Sequence, residues 1–261
     1  MSDHQGRFVW YELMTTDPKA AERFYSAVVG WTAKDFPMGG GTTYTILSAG
    51  EAMAAGLMLM PEAAKKMGAP PNWSGYIAVD DVDAAAEKVK RLGGVIHMPP
   101  TDIPTVGRFA VAADPQAAAF ILFKPLPPPT PPAVPALGTP GRIGWHELYA
   151  SDWETVFAFY SDMFGWKKDQ AMDMGPMGTY QLFTAASGGP AIGGMFNKPA
   201  EVPATFWLYY FNVDSIDPAV ERVTAHGGKI VNGPMEVPGG AFIVQCMDPQ
   251  GAMFALTGPR K

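Results

Sequence analysis

A chain of 261 residues with 48% apolar content can bury one large core or two ordinary ones, and domains of about 100–150 residues are the common size. Its net charge of −6 and its 19 lysines and arginines, nowhere gathered into a run, leave little to neutralise phosphates and argue against a nucleic-acid partner. The lone Cys246 has no intramolecular disulfide partner, no segment resembles a membrane helix, and the opening Met-Ser-Asp-His-Gln lacks the basic start of a secretory signal; a soluble, cytoplasmic protein is expected.

Residues 8 to 14 alternate as a half-buried strand does, and Asp17-Pro18 then offers an N-cap and a proline for the first helical position. Ala21, Phe24, Tyr25 and Val28 follow at helical spacing until Gly30 ends the helix. The glycine run at 39–41 reads as a loop before a strand. Short β-prone runs come next, Tyr44 to Leu47 and Gly56 to Met60. A second strand at 75–79 leads to a helix near 82–92 and a Gly93-Gly94 stop, with further runs at 95–97, 109–112 and 120–123. Each half-unit therefore reads β-α-β-β-β, and two of them fill residues 1–124. Residues 125–140 hold eight prolines, which predicts a semi-rigid polyproline II linker. Residues 141–261 repeat the pattern, with Asp217-Pro218 predicted to open the last helix.

The repetition extends to individual residues. At an offset of 135, Arg7, Trp10, Glu12, Leu13, Asp17, Phe24-Tyr25-Ser26 and Gly30-Trp31 recur as Arg142, Trp145, Glu147, Leu148, Asp152, Phe159-Tyr160-Ser161 and Gly165-Trp166. At 134, Trp73, Tyr76, Asp80, Gly93-Gly94 and Asp114-Pro115-Gln116 recur as Trp207, Tyr210, Asp214, Gly227-Gly228 and Asp248-Pro249-Gln250. A period this long indicates a duplicated globular domain rather than a solenoid.

The paired motifs Trp-Tyr-Glu-Leu-Met-Thr-Thr-Asp and Trp-His-Glu-Leu-Tyr-Ala-Ser-Asp, each followed by Phe-Tyr and Gly-Trp, resemble the vicinal oxygen chelate superfamily of glyoxalases, bleomycin-resistance proteins and extradiol dioxygenases. Within it the chain is similar to two-domain glyoxalase-like proteins of the mycobacterial culture-filtrate antigen type. The resemblance implies an α+β fold of tandem domains, each made of two βαβββ units whose mixed sheet curves around a cleft. It also implies that the two domains pair as an intramolecular pseudo-dimer.

Metalloenzymes of this group take their ligands from strands facing the cleft. Carried over, those positions are Trp10, Ser74 and Ile121 in the first copy and Trp145, Leu208 and Ala255 in the second, with the remaining two near Leu57 and Met195. Zinc, nickel or iron needs His, Cys or carboxylate donors, so no metal is expected. A one-residue slip of the first strand would offer only Tyr11 and His146 instead. No dinucleotide or phosphate-cradling fingerprint is present, and no cofactor is expected.

What remains at the predicted cleft is aromatic and acidic. Trp10 and Trp145 either stack on a flat ligand or fill the space of the absent metal. Glu12 and Glu147, two residues along, share their face; each either pairs with an arginine such as Arg7, Arg108 or Arg142 or serves a ligand as acceptor or general base. Tyr76 and Tyr210, and with them Tyr44 and Tyr180, either join them or pack at strand edges. Phe24, Tyr25, Phe159 and Tyr160 read as core, Met53 to Met60 as core or soft cleft lining, and His4, His97, His146 and His226 as structural or incidental. The predicted function is binding of a small, partly apolar molecule, with an enzyme using Glu12 or Glu147 as acid or base as the alternative.

Overall fold

A computed structural model describes residues 4–39, 41–66, 68–126, 136 and 138–260. The predicted polyproline segment falls largely on residues 127–135 and 137, outside those described. Strands β1 (Phe8–Thr15), β2 (Thr32–Gly39), β3 (Thr42–Ala49), β4 (Ala52–Leu59), β5 (Asn72–Ala78), β6 (Val95–Ile103), β7 (Gly107–Ala113) and β8 (Ala119–Pro125) form one eight-stranded sheet, in the order β2-β3-β4-β1-β5-β8-β7-β6. Strands β9 (Ile143–Ala150), β10 (Lys167–Asp173), β11 (Thr179–Thr184), β12 (Gly193–Asn197), β13 (Phe206–Asn212), β14 (Lys229–Glu236), β15 (Phe242–Met247) and β16 (Met253–Gly258) form the second, in the matching order β10-β11-β12-β9-β13-β16-β15-β14. Both sheets are mixed: β1 runs parallel to β4 and β5 to β8, while the hairpin neighbours are antiparallel. The tandem α+β architecture expected from sequence is present.

The helices begin and end for identifiable reasons. In α1 (Pro18–Val29) the Asp17 carboxylate accepts from the Ala20 amide and Gly30 closes the helix at φ 85°, a left-handed conformation that costs glycine nothing. Asp152 and Gly165 (φ 71°) do the same for α4 (Trp153–Phe164), and Asp81 caps α3 (Val82–Arg91). A short α2 (Glu62–Lys66) follows β4. The last helix, α5 (Ile216–Ala225), corrects the sequence reading: Ser215 is its N-cap, so Asp217-Pro218 lies inside the first turn. Ile216 is fully buried, and its amide donates to the Pro259 carbonyl at 3.0 Å. Strand β2, for which no β-prone run was predicted, is a second difference: it pairs only with β3, and residues 32–38 are exposed throughout.

The chain divides into two compact units, and each draws on both sequence copies. Unit 1 comprises Met1–Trp10, Ser74–Pro131 and His146–Leu208; unit 2 comprises Tyr11–Trp73, Pro132–Trp145 and Tyr209–Lys261. Each core is held by a buried polar relay. In unit 1, Trp207 Nε1 donates to Tyr160 Oη at 2.9 Å and Tyr160 Oη donates to Asp114 Oδ2 at 2.9 Å. In unit 2, Trp73 Nε1 donates to Tyr25 Oη at 2.8 Å, which donates to Asp248 Oδ2 at 3.0 Å. The other oxygen of each aspartate accepts amides of its own turn, from Gln116 and Ala118 or from Gln250 and Ala252. The repeated Phe-Tyr, Trp and Asp-Pro-Gln motifs are thus parts of one device, in which a tyrosine from one copy binds an aspartate from the other. Burial raises both aspartate pKa values above the usual carboxylate range, against the lowering effect of these hydrogen bonds.

Candidate ligand-binding site

The orientation of β1 and β9 decides which residues are available to a ligand. Tyr11 is buried, edge-on to Tyr209 at 5.5 Å in unit 2. His146 is buried and lies flat on Phe8 in unit 1, with ring centroids 3.9 Å apart, and its Nδ1 is 2.5 Å from the Ile192 carbonyl oxygen. Trp10 and Trp145 are half-buried. The slipped register with Tyr11 and His146 as the available pair is therefore not the one adopted, and His146 is packed as a structural residue.

In unit 1, Tyr76, Ile121 and Phe123 form a buried cluster, against which Trp10 packs together with Val9, Phe109 and Val111. Pairing of β5 with β8 sets Tyr76 beside Ile121, and the Tyr76 and Phe123 rings meet edge to face at 5.4 Å. The half-buried Trp10 thus rests on an apolar support. In unit 2 the corresponding Tyr210 is buried, and its hydroxyl accepts from Gln245 Nε2 at 3.2 Å.

The glutamates lie beside glycines. Glu12 pairs with Gly56 across β1 and β4, and Glu147 with Gly194 across β9 and β12. A Cβ on Gly194 would fall 2.1 Å from Tyr180 Cε1, so the missing side chain is the space in which that ring lies. Across this gap Tyr180 Oη donates to Glu147 Oε1 at 2.8 Å, both residues being buried. Gly56 stands in the same relation to Tyr44, whose hydroxyl would be 1.8 Å from a Cβ there. Tyr180 is therefore a partner of Glu147 rather than edge packing. Of the arginines considered as partners, Arg7 donates to Ser187, and Arg108 is engaged by Asp83 and Asp102.

Leu57 and Met195, near which closing-strand ligands were placed, are wholly buried beside Leu13 and Leu148. The residues that adjoin the glutamates are Gly56 and Gly194 instead, a one-residue change of face. The other family ligand positions, Ser74, Ile121, Leu208 and Ala255, are buried and supply one hydroxyl among them. Among the described residues no three His, Cys, Asp or Glu side chains converge. This donor set does not fit a first-row transition metal.

Met53 is exposed and Met60 buried, so the methionine-rich strand is part surface and part core. Two shallow recesses, one in each unit, are lined by none of the predicted site residues. That in unit 1 measures 350 Å³ and includes Asp102, Thr105, Arg108 and Lys124; that in unit 2 measures 290 Å³ and includes Asn212 and Thr257.

The model for the Glyoxalase/Bleomycin resistance protein/Dioxygenase superfamily matches residues 7–120 and again 142–256. The chain belongs to this superfamily. Among its relatives, CFP32 of Mycobacterium tuberculosis, provisionally named a glyoxylase, is 35% identical over 257 residues, covering 98% of this chain and 95% of that one. The anthracycline biosynthesis protein DauV of Streptomyces sp. strain C5 is 30% identical over 268 residues, covering 98% and 94%. Solved structures share the superfamily fold at low identity. The Mn(II)-bound glyoxalase from Novosphingobium aromaticivorans superposes with a TM-score of 0.63 at 17% identity, covering 99% of this chain and 83% of that one. The 2,3-dioxygenase LapB from Pseudomonas sp. KL28 gives 0.65 at 12%, covering 99% and 94%.

Proposed function

We propose that this superfamily member binds a small, flat, partly apolar organic molecule against the Trp10 surface of unit 1, without a resident transition metal. The observation that carries the reading is the half-buried Trp10 indole, fixed on Tyr76, Ile121 and Phe123 where a metalloenzyme of the group would hold a ligand residue. A rigid indole wall offers large apolar contact at little entropic cost and favours offset stacking on another ring. The Streptomyces relative is named for the biosynthesis of anthracyclines, fused-ring aromatics of the shape such a wall accepts. Titration calorimetry with 1,8-dihydroxyanthraquinone as probe tests the reading. Binding to the intact chain that weakens about 5–150-fold in Trp10→Ala, a truncation cost of roughly 1–3 kcal/mol, supports it; equal affinity with folding intact refutes it.

The second reading is an acid–base enzyme, favoured by the buried Glu147 carboxylate held at 2.8 Å by Tyr180. A phenol donor that fixes a buried carboxylate orients a group of the kind that accepts a substrate proton. Glu12 beside Gly56 and Tyr44 offers the same parts in the first copy. Turnover abolished by Glu147→Gln or Glu12→Gln, with ligand affinity retained, would establish catalysis over binding alone. Both readings have the protein act on a small molecule.

A further inference from the structure

We infer that the Glu12 face of the first copy, within unit 2, is an open binding site for an amphipathic aromatic monocation. The inference rests on neither reading above: it needs no turnover and uses no part of the Trp10 surface, which belongs to unit 1. Strand pairing lays this face out in two rows. Glu12, Gly56, Ile46 and Lys34 stand side by side across β1, β4, β3 and β2, and Met14, Met58, Tyr44 and Phe36 form the next row on the same face. All of them belong to unit 2. Tyr44 leans into the room left by Gly56, which brings its phenol into the Glu12 row. The Glu12 side chain is buried, Met14, Tyr44, Ile46 and Met58 are half-buried, and Phe36 is 38% exposed. The surface is therefore apolar, partly uncovered, and ends inward on one carboxylate.

The second copy fills the same place with its own rings. In unit 1, Tyr149 pairs with Phe196 as Met14 pairs with Met58 in unit 2. Tyr149 meets Phe196 edge to face at 4.6 Å and stacks on Phe206 at 4.6 Å, while Phe196 contacts the Tyr180 ring at 5.8 Å. Tyr149, Phe196 and Tyr180 are all buried, so the Glu147 face is closed to a ring-sized ligand. In the first copy two thioethers replace two of these rings, and Asn72 stands in the place of Phe206. Methionine side chains adapt to a flat guest and make favourable sulfur–ring contacts. Glu12 then selects the charge. A neutral apolar guest would strip hydration from the carboxylate without return, and an anion would add repulsion. An ammonium replaces that hydration with a charge-assisted hydrogen bond, and the neighbouring aromatic side chains favour a cation as well. Lys34, the other charged member of the two rows, stands three strand spacings from Glu12, about 14 Å, with its Nζ 5.3 Å from the Phe36 ring. It is exposed, and at that separation solvent screens it from the carboxylate.

Calorimetry on the full chain with three naphthalene probes of similar size tests the site: 1-naphthylmethylamine, which is protonated at neutral pH, 1-naphthylmethanol and 1-naphthoate. The amine is expected to bind as a single equivalent per chain, at least about tenfold more tightly than the alcohol or the naphthoate, the margin of one charge-assisted hydrogen bond. It should also shift the assigned Met14 and Met58 methyl resonances in ¹H–¹³C NMR. Glu12→Gln keeps the shape and removes the charge, and should bring the amine down to the affinity of the alcohol. Met14→Tyr with Met58→Phe rebuilds the filling of the second copy and should abolish binding; if that variant does not fold, Glu12→Gln decides the matter. Equal affinity for the alcohol or the naphthoate, two equivalent sites per chain, unshifted Met14 and Met58 methyls, or unchanged amine affinity in Glu12→Gln would each overturn the proposal. Trp10→Ala decides the anthraquinone titration and Glu12→Gln decides this one, so either can fail while the other succeeds.

Discussion

Removing the Tyr25 hydroxyl should destabilise the protein far more than the loss of one oxygen atom suggests. The hydroxyl accepts from Trp73 Nε1 and donates to Asp248 Oδ2, and all three residues are buried. Tyr25→Phe keeps the ring in its edge-on contacts with Phe24, Trp73 and Phe254, so apolar packing changes little. Two partners are left unsatisfied, at about 1–3 kcal/mol each and more for a charged one, which sums to roughly 2–5 kcal/mol. Against a total stability of about 5–15 kcal/mol for an ordinary domain, this is a large loss. The Asp248 pKa is raised by burial and held down in part by the Tyr25 hydrogen bond; the variant should raise it further. A carboxyl with a raised folded-state pKa is least costly while protonated, and its cost grows as pH rises through that pKa. The deficit of Tyr25→Phe should therefore be smallest in mild acid and reach its full size at neutral pH. Urea denaturation followed by circular dichroism across pH 4–8 measures it. A cost below about 0.5 kcal/mol at pH 7, or one that shrinks as pH rises, would refute the relay. Tyr160→Phe, with Asp114 and Trp207 as partners, is expected to behave alike.

Gly194→Ala should displace the Tyr180 ring, whose Cε1 lies 2.1 Å from the new Cβ position, and break its bond to Glu147; a cost of about 2–4 kcal/mol, from overpacking plus a lost buried hydrogen bond, is expected by thermal melting, and a neutral result would mean the ring has room. Burial pushes the Cys246 thiol up to about 12, so the native protein should not react with a disulfide reagent at pH 8 while the urea-unfolded chain reacts fully; rapid labelling of native protein would contradict this. Arg108→Ala breaks contacts with Asp83 and Asp102, but these carboxylates are mostly exposed, and a change under about 1 kcal/mol is expected; a larger loss in denaturant titration would show the group to be more than a surface cluster.

Much of this architecture is legible in the sequence because local physics wrote it twice. Asp17 and Gly30 delimit α1, and Asp152 and Gly165 delimit α4, by capping chemistry that needs no tertiary context. The start of α5 is different: Asp217-Pro218 imitates Asp17-Pro18, but the helix begins at the buried Ile216, whose amide donates to the Pro259 carbonyl at 3.0 Å, with Ser215 as the cap residue. Strand β2 gives no alternation because it pairs on one side only and exposes residues 32–38. Helical spacing correctly places Tyr25 and Tyr160 in the core, yet says nothing of aspartates 223 residues after one and 46 before the other. Of the candidate residues, Trp10 in unit 1 and Glu12 in unit 2 are readable from the repeated first-strand motif. The bond between Tyr180 and Glu147 is not, since it depends on Gly194, which belongs to a third strand.

Native mass spectrometry of the intact chain purified from its own cells, paired with elemental analysis of the same sample, tests the central claim most directly. The account predicts an organic adduct of small mass, insensitive to chelators, and well under one zinc, nickel, iron or manganese per chain. About one such metal per chain, lost on chelation together with the adduct or with turnover, would contradict it.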